Sequence, residues 1–98
     1  AIDALQVDAD NLRATYGGTS VELSPRDVEL LNHLLVHRAR PVSREELLRE
    51  VWGFARVERV ETRCVDMHVV KLRRKLADLG ATDVIETVRG VGYRCGSA

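Results

Sequence analysis

Thr62-Arg-Cys-Val-Asp-Met-His-Val-Val-Lys-Leu-Arg-Arg-Lys-Leu-Ala-Asp-Leu79, followed by Gly80, sets the reading of the whole chain. On a wheel of about 100° per residue with Val65 at the origin, Val69, Leu72, Leu76 and Leu79 fall within about 40° of it. That stripe defines an amphipathic helix with one buried face, and Gly80 supplies a left-handed stop. Arg63, Met67, Val70 and Arg74 occupy the opposite pole, with Lys71 on its flank. A helix face that only meets water is ordinarily polar and mixed in charge. This one is basic at both ends, with two apolar side chains between. A helix entering the DNA major groove needs that composition: cations for phosphates and guanine edges, apolar groups for thymine methyls. A second reading stands beside it, a solvated face whose apolar residues touch another part of the domain, since single surface apolar residues are common.

Downstream, residues 84–88 and 91–95 read as two strands around Arg89-Gly-Val-Gly92, a hairpin with Arg89 at its tip. An arginine there can project into a narrow minor groove, whose negative potential attracts it; a solvated hairpin arginine is the alternative. Gly90-Val-Gly92 opens no helix and lacks a third glycine, so it is turn chemistry and not a dinucleotide loop. Upstream, Ser24-Pro25 is a hydroxyl cap with proline at the first helical position, opening a helix to about Arg38 that buries Leu30, Leu31, Leu34 and Leu35. Pro41 ends it. Ser43-Arg-Glu-Glu46 reads as a capping box for a short helix that carries Leu47, Leu48, Val51 and Trp52 inward and stops near Gly53. Residues 53–61 have no clean period and read as a loop. Over the first 23 residues apolar positions alternate (Leu5, Val7; Leu12, Ala14, Tyr16; Val21, Leu23), with turns at 8–11 and at Gly17-Gly18. They predict an antiparallel sheet with one wet face. The expected architecture is α+β: an N-terminal antiparallel sheet (1–23), a three-helix core (24–80) and a C-terminal hairpin (84–95) in one domain.

The chain has 98 residues, 45% hydrophobic and 31% charged, with 15 basic and 15 acidic side chains. Zero net charge argues, as an average, against a nucleic-acid ligand, whose protein footprint is usually basic. The average is a cancellation. Residues 1–62 hold eight arginines against eleven acids, a net of −3, and residues 63–98 hold seven basic residues against four acids, a net of +3. Residues 63–76 alone contain five cations and one acid, Asp66. No apolar run approaches the roughly 18 residues of a membrane span, and there is no signal-peptide pattern, so a cytoplasmic location is expected. The chain starts without methionine and reads as a fragment of a longer protein.

Enzyme chemistry finds no foothold. Cys64 and His68 share one helix side and Cys95 is a third donor, but no fourth completes a structural zinc set, and no group is placed to orient a Cys–His nucleophile. His33 and His37 lie four apart on one helix with no acid or cysteine nearby in sequence, and read as a solvated face. His68 reads as a partly buried helix residue and Cys95 as a small core residue. No metal and no cofactor are expected.

Three segments together, 41–53 (Pro-Val-Ser-Arg-Glu-Glu-Leu-Leu-Arg-Glu-Val-Trp-Gly), 65–76 and Glu86-Thr-Val-Arg-Gly-Val-Gly-Tyr-Arg94, resemble the OmpR/PhoB-type winged-helix effector domain of bacterial two-component response regulators. The resemblance runs from Leu5 to Cys95. It implies a winged helix-turn-helix in which residues 62–79 are the recognition helix and 84–95 the wing. It implies base readout by Met67, Val70 and Lys71 in the major groove and by Arg89 in the minor groove. Val70 stands where relatives often carry a polar or basic residue. Phosphate contacts are implied for Arg44, the Trp52 indole, Arg63, Arg73, Arg74, Thr87 and Tyr93. The wheel puts Arg73 only about 80° from the buried centre, so its contact has to be lateral.

The loop with Phe54, Arg56, Val57 and Arg59 corresponds to the segment that approaches RNA polymerase in such regulators, although a Phe54 packed on the domain is the competing expectation. The resemblance further implies a receiver domain N-terminal to this one, a sensor histidine kinase acting on it, RNA polymerase holoenzyme as a partner, and two copies bound head to tail on tandem direct repeats of double-stranded DNA. Two rivals stay open: a winged helix used for protein contacts, and the DNA-binding domain of a membrane-anchored one-component regulator.

Overall fold

The alternating N-terminal segment forms a three-stranded antiparallel sheet, β1 (Gln6–Asp8), β2 (Arg13–Tyr16) and β3 (Thr19–Glu22), paired in that order. The computed structural model describes residues 5–54 and 62–96. Ala14 lies opposite Val7 on one side and Val21 on the other, so one face of the sheet meets the core together with Leu5 and Leu23. Gly17 and Gly18, at φ 57° and 83°, form the two-residue turn between β2 and β3, whose twist needs both residues at positive φ. Leu12 departs from the alternation. It sits in the preceding turn at φ 50°, and its carbonyl accepts from the Leu23 amide at 2.8 Å. The turn is set by Asp8, whose carboxylate accepts from the Asn11 amide and side chain.

Helix α1 (Pro25–Val36) begins with a complete capping box. Ser24 Oγ accepts from the Asp27 amide at 3.0 Å, and the Asp27 carboxylate accepts from the Ser24 amide at 2.9 Å. The capping box expected at Ser43–Glu46 is only half formed. Ser43 Oγ accepts from the Glu46 amide at 3.0 Å, but the Glu46 carboxylate turns to the Arg40 guanidinium (2.9 Å twice) and His33 (2.7 Å). A bidentate, charge-assisted pair outcompetes a neutral backbone amide.

Helix α2 (Arg44–Glu50) and helix α3 (Arg63–Asp78) follow the predicted stripes, and β5 (Ile85–Val88) and β6 (Gly92–Cys95) form the hairpin. A further strand, β4 (Val42–Ser43), pairs with β6, so the second sheet has the order β4-β6-β5. Two residues carry no alternation, so β4 leaves no pattern in the sequence. Gly92 makes the pairing possible: a Cβ there would lie 2.1 Å from the Val42 carbonyl oxygen. Helix α3 ends in a paired stop, with the Gly80 amide donating to Ala77 O and the Ala81 amide to Leu76 O.

The core lies between the sheets and helices. Val65, Val69, Leu72 and Leu76 of α3 are buried against Leu30, Leu31, Leu34, Leu47 and Leu48. Burying each such side chain contributes roughly 1.5–3 kcal/mol. This rigid packing fixes α3 about its own axis and so decides which side chains face out.

Acid should weaken the fold in a defined window. The Arg40 guanidinium, opposed by burial and helped by His33, holds the Glu46 carboxyl down to about 2 from an ordinary 4.5. A carboxyl depressed in the folded state stabilises it fully above its unfolded value, and that contribution is lost as pH falls through the folded one. Unfolding free energy should therefore decline as pH drops from about 4.5 to 2. Urea titrations across that range should show Glu46→Gln with a shallower decline than wild type; identical slopes would contradict this.

Candidate nucleic-acid interface

Helix α3 has four sides, each with a different job. The apolar stripe is buried. On the flank about 80–100° away lie Arg73 and Asp66. Arg73 donates to Ile85 O (Nε 3.2 Å, Nη2 2.8 Å) and to Thr87 Oγ1 (2.7 Å), tying α3 to β5. Asp66 Oδ1 accepts from Arg44 Nε at 2.6 Å and from the Tyr93 hydroxyl at 2.5 Å. Burial opposes charge on Asp66, but Tyr93 and Arg44 outweigh it and hold its pKa below the usual carboxylate value. Burial and the Asp66 carboxylate push the Tyr93 phenol up. The guanidinium groups of Arg44 and Arg73 both lie over the Tyr93 ring, at 5.0 and 5.6 Å.

On the opposite flank, about −60 to −80° away, His68 and Lys75 reach Asp27 of α1. Asp27 is 2% exposed, with His68 Nε2 at 2.6 Å from Oδ1 and Lys75 Nζ at 2.6 Å from Oδ2. The Trp52 ring meets His68 edge-on at 5.5 Å and carries Arg26 at 4.9 Å.

The remaining side is the exposed pole. Arg63, Lys71 and Arg74 are exposed, and between them Met67 is 54% and Val70 57% exposed. Among the described residues the apolar pair is thus more exposed than covered. Arg89 is exposed at the tip of the β5–β6 hairpin, and Thr87 is exposed beside it.

The sequence-predicted residues thus fall into two groups. Arg63, Met67, Val70, Lys71, Arg74 and Arg89 project from the surface. Arg44, Arg73, Thr87 and Tyr93 form a joint between α2, α3 and the wing. Trp52 is half-buried. Arg44 gives Nε to Asp66, and Arg73 gives Nε and Nη2 to the wing. Phe54 is 38% exposed, while Arg56, Val57 and Arg59 lie outside the described residues. Sequence reasoning did not single out Asp27, Asp66 and Lys75 as positioning groups. Asp66 did carry a signal, as the one acid among five cations in residues 63–76.

Comparison with known proteins gives the family. The family described as "Transcriptional regulatory protein, C terminal" matches residues 18–95. The response regulator ArlR of Staphylococcus haemolyticus is 38% identical over 92 residues, covering 94% of this chain and 41% of that protein. The phosphate regulon transcriptional regulatory protein PhoB of Escherichia coli is 38% identical over 93 residues, covering 95% and 40%. The chain therefore spans about 40% of the length of these curated relatives. Among solved structures, the Klebsiella pneumoniae RstA DNA-binding domain in complex with the RstA box superposes with a TM-score of 0.81 at 29% identity, covering 100% of this chain and 96% of that one. Among the described residues no helix is long and apolar enough to cross a membrane. The family is one of DNA-binding regulator domains and not of enzymes. The chain belongs to the OmpR/PhoB-type family of winged-helix DNA-binding domains of transcriptional response regulators.

Proposed function

We propose that this domain binds double-stranded DNA sequence-specifically, with α3 in the major groove and Arg89 of the wing in the minor groove. The observation that carries the reading is the exposed pole of α3, where Met67 and Val70 are more than half exposed between Arg63, Lys71 and Arg74. Lys71 is the cationic base reader, and Met67 and Val70 meet thymine methyls. Arg63 and Arg74 neutralise flanking phosphates. The joint of Arg44, Arg73, Thr87 and Tyr93, with the Trp52 indole N–H, lines the backbone beside the groove, the two arginines using the guanidinium nitrogens not committed to Asp66 and the wing.

In the whole protein the domain acts in the cytoplasm as the output of a phosphorylation-controlled regulator, downstream of a receiver and its histidine kinase, with RNA polymerase as a partner. Two copies occupy tandem repeats head to tail. That contact is heterologous and needs unlike surfaces to match, which the −3 and +3 halves supply.

Selection of bound duplexes from a random pool at stated salt should enrich one motif; an unenriched pool would favour a protein-contact role. Lys71→Ala should then cost about 1–3 kcal/mol on the selected site and relax one or two positions, read by anisotropy titration against single-base variants. An equal loss on every sequence would put Lys71 on phosphates instead.

A further inference from the structure

We infer that His33, His37 and Glu46 form a binding site for a zinc-class divalent transition metal, held in competition with Arg40. His33 and His37 are one helical turn apart on α1, with ring centroids at 4.5 Å. The carboxylate comes from α2, which places Glu46 Oε2 2.7 Å from His33 Nε2. One donor atom from each of the three residues lies within 4.8 Å of the others. Tetrahedral ligation with bonds of about 2.0–2.2 Å spaces donor atoms by roughly 3.3 Å. The donors, with His33 Nε2 and Glu46 Oε2 at 2.7 Å and all three within 4.8 Å, bracket that spacing. Two imidazoles and a carboxylate are the donor set that suits zinc and its neighbours, with a fourth position left to water.

A cation already sits on this cluster. The Arg40 guanidinium bonds both oxygens of Glu46 at 2.9 Å, and its Nη2 lies 3.4 Å from His37 Nδ1. Its side chain is 48% exposed, so it can swing into water when a metal takes Glu46. The C-terminal end of α1, where His37 is the cap residue, favours positive charge there. The cluster is separate from the DNA-facing pole: no residue of α3 contributes to it.

Calorimetric titration of the domain with Zn2+ alone at pH 7.5 should show one equivalent bound and a raised Tm, since a ligand of the folded state stabilises it. His37→Ala, at the half-buried cap of α1 and with its fold checked by circular dichroism, should weaken binding by at least about tenfold. Arg40→Ala should tighten it several-fold by removing the competing cation. His37→Ala retains both cysteines, so zinc bound to thiols would survive that substitution. Unchanged affinity in His37→Ala, no binding in wild type, or weaker binding in Arg40→Ala would each overturn the proposal.

Discussion

Gly92→Ala is expected to cost about 3 kcal/mol or more of folding free energy, among the larger effects a one-methyl change can have. The position needs no unusual backbone; what it lacks is room. The added Cβ would stand 2.1 Å from the Val42 carbonyl oxygen and 3.0 Å from Ser43 Cα. Both obstacles are backbone, so no rotamer change relieves them, and β4 must separate from β6. That loses the Val42–Tyr93 and Ser43–Gly92 pairing. It also displaces the segment that delivers Ser43 as the cap of α2. For a domain of this size each kcal/mol shifts Tm by roughly 4–8 °C, so the midpoint should fall by about 12–24 °C. Thermal unfolding followed by circular dichroism checks this, and a fall of less than about 4 °C would mean that β4 yields at little cost.

The second large effect is expected at Asp27. Its carboxylate is the meeting point of three donors: the Ser24 amide, His68 and Lys75. Burial works against its charge, yet Lys75, Ser24 and His68 together hold its pKa below the ordinary value of 3.8. Removing one partner of a buried pair costs about 3–5 kcal/mol when the other stays buried. His68 and Lys75 are partly solvated, which lets water take up part of the loss. Asp27→Ala should therefore cost about 2–3 kcal/mol, including the lost half of the capping box. Asp27→Asn, which keeps the shape and an acceptor, should cost less. Because His68 and Lys75 lie two turns apart on one flank of α3, the same substitution loosens that helix about its axis. Asp27→Ala should accordingly lower discrimination between the selected site and random DNA more than it lowers non-specific affinity. Urea unfolding and paired anisotropy titrations separate the two effects, and an unchanged specificity ratio would leave Asp27 a purely structural group.

The parts of this molecule legible in its sequence are those written in short-range pattern. The stripe of Val65, Val69, Leu72, Leu76 and Leu79 located α3 and, by subtraction, its exposed pole. The pair Ser24-Pro25 started α1, and Gly17-Gly18 turned the first hairpin. What stayed hidden depends on partners far apart along the chain. Asp27 meets His68 across 41 positions and Lys75 across 48. Arg44 meets Asp66 across 22, and His33 meets Glu46 across 13. The Ser43–Glu46 capping motif shows the consequence. Its local reading was sound for Ser43, but the carboxylate was claimed by Arg40, whose position depends on how the chain leaves α1. Arg73 shows the same in milder form: the wheel gave its lateral direction, and only the fold put the wing there.

On the proposed function, the pole of α3 and the wing tip are the surface that meets DNA. Amide chemical-shift mapping of the 15N-labelled domain, titrated with its selected duplex at 150 mM salt, tests it most directly. The largest shifts should fall on residues 63–74 and 88–91, with little change in β1–β3. Shifts concentrated on the N-terminal sheet, or none at all at saturation, would contradict it.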